Sequence, residues 1–338
     1  MHDLTSASVF GPDNTRHVVL AATRVVDLKV EAIIVDRDVT HLLSGSALVA
    51  GQKTSTTIPA DKVTLAVGAE YGFPSRISPA AVSKEDVVRD FKRMQQDIAA
   101  AREILVIGGG STGVEFVGEV LDVHPKKAIT LLTRGPGLIT NGHDAFGSVS
   151  KSLLSQLEAK GVRVLLNDSL SLDGIPEGPV GRMETFTTKK GETISADYVM
   201  LCSGNKPNTK WIASIDANLV DPQTKLIKVN TTFGVDAPGW GAYYALGDAA
   251  ATPGPKTSYV AQKHGPAVAH NIAVTIKGET DQSKLKKAVA PPGKMIVVPL
   301  GKSGGASYLM FFSAGGWLTS LLKGKGLLTD MFQGWFKA

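Results

Sequence analysis

The stretch "ILVIGGGSTGVEFVGEV", Ile104–Val120, constrains the fold more than any other part of the chain. An apolar run enters three spaced glycines, Gly108, Gly110 and Gly113, and leaves as an amphipathic helical pattern. The spacing predicts a strand over Glu103–Ile107, a helix over Thr112–Val123 and a second strand over Ala128–Thr133. "VSKSLLSQLEAKGVRVLL" adds a helix, stopped at Gly161, and a third strand. "GRMETFTTKKGETISADYVMLCSG" reads as a hairpin turning at Lys190-Gly191, then a buried strand closing on Gly204. Strands alternating with helices imply a parallel sheet with helices packed on its faces.

A glycine-rich turn between strand and helix is built to hold a dinucleotide. Gly108 permits the tight turn, Gly110 lets a pyrophosphate approach the backbone, and Gly113 lets helix and strand pack closely. Gly109, Ser111 and Thr112 complete a loop whose free N–H groups, with the helix dipole, favour phosphate. Glycines can also serve a turn alone; the flanking strand, helix and second strand favour the binding reading. At the end of the second strand an acidic residue would bind the ribose 2′-hydroxyl of NAD. Thr133 stands there, followed by Arg134, a guanidinium able to pair with a 2′-phosphate or simply to be solvated. Glu115 and Glu119 follow at i, i+4, a placement partly explained by the dipole. Glu115, in the expected first turn, faces the place of a nicotinamide ring and is the catalytic candidate.

Residues 1–80 alternate short β-rich runs with turns, reading as a meander and a buried strand, Val63–Val67, that ends at Gly68. A helix follows, with Ser83 as N-cap, Asp86 three residues on, and Val87, Phe91, Met94 and Ile98 along one face. Beyond residue 206, "WGAYYALGDAAAT" is a strand ending at Gly247-Asp248, and "KTSYVAQKHGPAVAHNIAVTIKG" a helix running to Gly278. A Pro/Gly/Lys linker precedes a last strand, Met295–Leu300, and a tail rich in Trp, Phe, Leu and Lys. In that tail Trp317, Leu321, Leu328, Phe332 and Trp335 recur at helical spacing, and Gly324 and Gly326 should split it into two short helices. Aromatics beside Lys323, Lys325 and Lys337 suit either a membrane surface or a helix packed over a cleft.

Bulk properties narrow the class. Hydrophobic content of 43% and charged content of 20% fit a globular protein. No apolar run reaches the roughly 18 residues of a spanning helix, and the N-terminus has no secretory pattern. His2 stands where myristoylation requires glycine. A cytoplasmic protein, or one peripheral on an intracellular membrane, is expected. The net charge of +5 is diffuse and argues for no nucleic-acid partner. His41, His124, His143 and His264 lack metal-ligand spacing, so no metal is expected. The single cysteine, Cys202, permits no internal disulfide or redox pair and reads as a buried thiol of the "YVMLCSG" strand.

"GGGSTGVEFVGE", "LCSGNKPNT", "YYALGDAA" and "KTSYVAQKHGPAVAHNI", in that order, resemble the flavin-dependent pyridine-nucleotide oxidoreductase superfamily. Within it the chain is most similar to the apoptosis-inducing factor 2 (ferroptosis suppressor) group, with type II NADH dehydrogenases next. The resemblance implies an α/β architecture of two Rossmann-like, three-layer ββα domains. The FAD-binding domain would comprise 1–85 and 206–285, the NAD(P)H-binding domain 86–205, and 286–338 a segment that covers the cleft or faces a membrane. It also implies roles. Glu115 and Gly204 would flank the nicotinamide–flavin contact, and Gly247 and Asp248 would bind the ribityl and pyrophosphate region of FAD. Gly68 would lie near the flavin, with Val67 in place of the usual Thr. Lys256, Thr257 and Ser258 would open a helix facing the flavin ring.

One cysteine cannot form the redox pair of the family's disulfide reductases, which leaves a small acceptor; the resemblance implies that this is a quinone, with dioxygen a slower alternative. One departure stands out. The family begins with its own strand–GxGxxG–helix unit for FAD, which takes about 30 residues, and "VFGPDN" is not one. The FAD domain is therefore expected to be incomplete at its N-terminus, leaving Val63–Val67 short of a sheet partner with apolar surface exposed. An incomplete version of a longer protein, a unit supplied by a partner chain, and a degenerate relative that binds only nicotinamide are all open, the first being favoured. The main reading is an NAD(P)H:acceptor flavoprotein; the alternative is a non-enzymatic NAD(P)H-binding protein or pseudoenzyme.

Overall fold

The computed structural model describes residues 61–324 apart from 76–77, 79, 82, 140–145, 205, 280 and 291–294; before residue 61 it describes the backbone of five strands only. The chain divides into two compact units, one of residues 1–87 and 205–291, the other of residues 88–204 and 292–338.

In the first unit, Tyr243–Ala245 lies parallel to Val63–Leu65, with Tyr243 opposite Val63. Strands His17–Ala21 and Ala32–Asp36 pair antiparallel, as do Leu42–Leu43, Ser46–Val49 and Thr56–Pro59 in turn. The strand expected over Val63–Val67 stops at Leu65, and its apolar side chains are not exposed. Val63 and Leu65 are almost wholly buried, and with Val67 they pack against Ile212, Leu219, Ile227, Val235 and Tyr243. The strand has one sheet partner among the described residues, as a shortened sheet would give, but the exposure expected with it is not found. The layer of residues 211–243 covers this strand instead. The helix Ser258–Ile276 packs Val268 and Ile272 onto Phe233 and Tyr244.

The second unit holds a five-stranded sheet in the order Arg163–Leu165, Ala128–Leu132, Glu103–Ile107, Thr193–Leu201, Gly178–Thr187. The first four strands are parallel and the last is antiparallel. The central strand is apolar throughout because both its faces are covered. Ile104 and Val106 meet the helices Ser111–Val123 and Gly147–Ala159, while Leu105 and Ile107 pack with Leu170, Phe186 and Ile194. The helix Lys84–Ala100 opens with a reciprocal cap: the Asp86 N–H donates to Ser83 Oγ (3.1 Å), and the Ser83 N–H donates to Asp86 Oδ2 (3.0 Å).

The C-terminal region differs from its sequence reading. Met295–Leu300 is not a lone last strand; Gly304–Leu309 and Phe312–Ala314 join it in an antiparallel sheet. Gly304-Gly305 and Ser307 break the apolar alternation that marks strands, so the added pair left no signal. Trp317 falls in a single helical turn, Gly316–Thr319, which runs on as a π-helical turn, Ser320–Gly324. The second expected short helix, with Leu328, Phe332 and Trp335, lies outside the described residues.

This sheet seats itself on the helix Ser111–Val123 through a glycine. A Cβ on Gly118 would overlap the backbone of Leu300 and Gly301. One turn on, Asp122 Oδ2 accepts a hydrogen bond from the Lys302 N–H (2.5 Å). Gly118→Ala should therefore lower stability by about 1–3 kcal/mol, an overpacking cost, although alanine is the better helix former. Urea unfolding checks this; unchanged stability would show that the sheet yields freely.

Candidate functional site

Each unit presents one constellation of the residues singled out by sequence. In the second unit, the strand Glu103–Ile107 runs into Gly108, whose φ of +126° suits glycine, and the helix begins at Ser111 with Gly110 as N-cap. Three glycines are demanded by the protein itself. A Cβ at Gly108 would overlap the Cys202 carbonyl, one at Gly109 the Thr133 side chain, and one at Gly113 the Gly108 carbonyl. The loop is tied to the sheet by the Gly108 N–H, which donates to Leu132 O (2.8 Å), and by the Ile139 N–H, which donates to Gly109 O (2.9 Å).

Gly110 differs. Nothing lies within 4 Å of where its Cβ would be. The helix end beside it has no side-chain cap and no acidic residue in its first turn. The first intrahelical bond at this end runs from the Val114 N–H to Gly110 O (3.1 Å), so the Ser111, Thr112 and Gly113 amides precede the helical ladder. Open space over a glycine, at an uncapped helix N-terminus, fits a pyrophosphate. Thr133 packs against the loop, and Arg134 after it is exposed. Gly204, with a φ of +99°, has open space at its Cβ position.

Glu115 is the fifth residue of this helix and begins its second turn, not the first as expected. Its carboxylate is three-quarters buried and accepts a hydrogen bond from Lys323 Nζ (2.7 Å). Burial pushes its pKa up, and the Lys323 charge and hydrogen bond partly oppose that. Glu119, one turn on, is also raised, by burial and then by the Asp122 charge. Lys323 had been read only as a flanking charge of the tail. Its pairing with a residue 208 positions away has no local signature.

Cys202 follows the strand Thr193–Leu201 rather than lying inside it, and its N–H donates to Ile107 O (2.7 Å). Burial pushes the thiol pKa up to about 12, so it stays protonated and unreactive.

The first unit places Gly68, Gly247, Asp248, Thr257 and Ser258 around one cavity of about 510 Å³. Gly68 and Gly247 take left-handed backbone, φ +63° and +71°. Thr257 caps the helix Ser258–Ile276, its Oγ1 accepting from the Val260 N–H (3.3 Å). Sequence reasoning missed Tyr71, which lines the same cavity and donates its hydroxyl to Asp248 Oδ2 (2.6 Å). Lys256 precedes the helix and turns inward, its Nζ donating to the carbonyls of Ala250 (2.6 Å) and Thr252 (2.9 Å). Burial lowers the Lys256 pKa, and the Asp248 charge opposes this. A carboxylate, a capped helix start and two glycines around an open cavity fit the ribityl and phosphate part of a flavin dinucleotide.

His264 is buried edge-on against Phe233 (4.9 Å). Among the described residues no group of three His, Cys, Asp or Glu could hold a metal ion, and no helix is long and apolar enough to cross a membrane. His41 and His143 lie outside the described residues.

The sequence profile of the pyridine nucleotide-disulphide oxidoreductases matches residues 7–265. The chain belongs to that family. Its cofactors are accordingly FAD and NAD(P)H, which the two constellations suit. Among relatives, the FAD-dependent oxidoreductase FVFD30 of Flammulina velutipes is 28% identical over 80% of this chain and 80% of its own. Human ferroptosis suppressor protein 1 is 26% identical over 81% of this chain and 70% of its own. Apoptosis-inducing factor homolog A of Dictyostelium discoideum is 26% identical over 81% and 69%. These relatives match the group to which the sequence motifs pointed. The fold is shared with the NAD-dependent persulfide reductase of A. fulgidus, with a TM-score of 0.56 at 18% identity. That likeness covers 78% of this chain and 46% of the reductase. A Desulfovibrio vulgaris FAD-dependent pyridine nucleotide-disulphide oxidoreductase gives 0.54 at 19% identity, over 79% of this chain and 66% of its own.

The two kinds of glycine can be separated by experiment. Gly110→Val should cost no more than about 1 kcal/mol of stability, the scale of a lost N-cap preference. Its NAD(P)H affinity should fall at least about tenfold, which is about 1.4 kcal/mol. Calorimetric titration and thermal melting check this, and unchanged affinity would refute the placement of the pyrophosphate.

Proposed function

We propose that this chain oxidises NAD(P)H and passes the electrons, through FAD, to a quinone, with dioxygen as a slower acceptor. The observation that carries the reading is Glu115, a three-quarters-buried carboxylate held by Lys323 on the helix whose open N-terminus lies beside Gly110. Bound flavin would supply a ring that takes hydride and returns electrons singly or in pairs.

The Gly110, Ser111 and Thr112 backbone grips the pyrophosphate, and Arg134 pairs with a 2′-phosphate, so NADPH is accepted. Glu115 orients the nicotinamide, and the Lys323 charge and hydrogen bond oppose the upward pKa shift that burial imposes on that carboxylate. In the first unit Asp248, steadied by Tyr71, and the amides at Thr257 and Ser258 hold the flavin dinucleotide. Cys202 has no second thiol, and its raised pKa keeps it out of the chemistry, which favours a small acceptor over a disulfide.

Steady-state oxidation of NADPH by the FAD-loaded protein should depend on an added short-chain quinone and exceed the rate with dioxygen. A rate indifferent to quinone would contradict that acceptor. In the same assay Arg134→Ala should raise KM for NADPH about tenfold and spare NADH; equal effects would remove the 2′-phosphate contact.

Removing Lys323 has a signed pH effect. Burial raises the Glu115 pKa and Lys323 lowers it, so Lys323→Ala leaves burial unopposed and moves the pKa further up. The low-pH limb of kcat/KM, where Glu115 becomes protonated, should shift to higher pH. A limb that stays in place would show that Glu115 is not the titrating group.

A further inference from the structure

Two costly features of the first unit meet at one point. Along the helix Ser258–Ile276 the buried stripe is Val260, His264, Val268 and Ile272, so an imidazole takes the place of an aliphatic side chain. His264 is 5% exposed, and neither ring nitrogen has a hydrogen-bond partner among the described residues. A neutral imidazole has one N–H to give and one lone pair to fill, and leaving them unpaired in the interior destabilises the fold. Its ring meets Phe233 edge-on, 4.9 Å between centroids. Phe233 itself has left-handed backbone, φ +70°, which is uncommon for a bulky residue. Strained backbone and orphaned polar groups are features that cluster at functional places.

That place lies behind the cavity. The Phe233 carbonyl accepts from the Ala245 N–H (3.0 Å), at the end of the strand that runs into Leu246, Gly247 and Asp248 of the cavity wall. The helix that carries His264 supplies Ser258 and Ala261 of the same wall. Between Asp248 and Thr257 the chain passes through Lys256, whose Nζ donates to Ala250 O, Thr252 O and Thr252 Oγ1.

The surroundings of His264 argue against a proton. Burial lowers its pKa, and the Lys256 ammonium lowers it further. The turn Asn230–Gly234 has no ionisable side chain, and Tyr244 of the adjoining strand is bonded to Thr275 Oγ1 (3.2 Å). On the helix itself Lys263 is exposed beside the Tyr259 ring, and His270 Nε2 donates to Lys284 O (2.9 Å). Lys286 and Lys287, next to the buried Ala288, are exposed. The carboxylate of the turn Gly247–Ala249, Asp248, lies at the cavity wall and is bonded to Tyr71.

We infer that His264 is an acid-sensitive wedge behind the cavity of the first unit: on taking a proton it parts the helix from the Phe233 turn and loosens the hold on FAD. The inference rests on the reading of that cavity as the flavin site. An imidazolium there meets no free anion among these elements, and Lys256 cannot retreat without giving up the loop between Asp248 and Thr257. In the unfolded chain the imidazole takes its proton near pH 6.5, and in the fold only at lower pH. The stability associated with neutral His264 is therefore whole above about pH 6.5 and is lost as pH falls below it.

Titration of the whole protein with FAD between pH 8 and 5, followed by flavin fluorescence, tests this, with melting of the flavin-free protein alongside. The wild-type dissociation constant should rise as pH falls below about 6.5, by up to about tenfold per pH unit, the slope of one proton. His264→Leu, and His264→Gln as a polar variant that does not titrate, should match the wild type at pH 8 and lose that slope. The melting temperature without FAD should fall on acidification by more in the wild type than in either variant. The same slope in the variants, a wild-type affinity indifferent to pH, or equal acid sensitivity of melting would overturn the wedge and leave the flavin reading standing. A wild type that binds no FAD even at pH 8 would overturn the flavin reading and this inference with it.

Discussion

The close approach of Gly108 to Cys202 is the contact on which the second unit's glycine loop depends. The Cys202 carbonyl occupies the volume that a side chain at residue 108 would need, and the Gly108 carbonyl occupies the volume that one at residue 113 would need. Strand, loop, helix and the neighbouring strand end thus meet backbone to backbone. A hydrogen-bonded strand pair continues into the same place, where the Cys202 N–H donates to Ile107 O. No side chain can enter at Gly108 or Gly113 without parting these elements, so the loop's path is fixed by contacts within the protein itself. Such preorganisation lowers the ordering cost of binding.

That close packing reaches the far end of the chain. Gly118 lets the C-terminal strands meet the same helix at backbone distance, Asp122 fixes Lys302, and Lys323 is delivered to Glu115. A carboxylate three-quarters buried and without a partner would lean towards its neutral form. A residue remote in sequence therefore offsets part of the burial penalty on Glu115. In the other unit Tyr71 donates one hydrogen bond to Asp248 at the wall of its cavity.

Much of this was legible because it is local. Strand Glu103–Ile107 was read to the residue, and the Ser83–Asp86 cap and the turn at Gly191 follow from nearby residue types. What escaped was non-local or unpatterned. The Glu115–Lys323 pair joins residues that no spacing rule connects. Tyr71, three positions past Gly68, belongs to no motif or periodic run. Strands Gly304–Leu309 and Phe312–Ala314 carry glycines and serines where alternation was sought, and they form because Met295–Leu300 offers them a ladder. The exposure expected at Val63–Val67 failed for a related reason: burial came from a layer of loops and short helices that has no strand signature.

The most direct test of the oxidoreductase reading is the visible spectrum of the purified protein after incubation with FAD and gel filtration. A retained flavin band that bleaches when NADPH is added without oxygen is the expected result, and NADH should bleach it too. Absence of a flavin band, or a band that neither nucleotide bleaches, would contradict electron transfer through this chain and leave it a nicotinamide-binding protein alone.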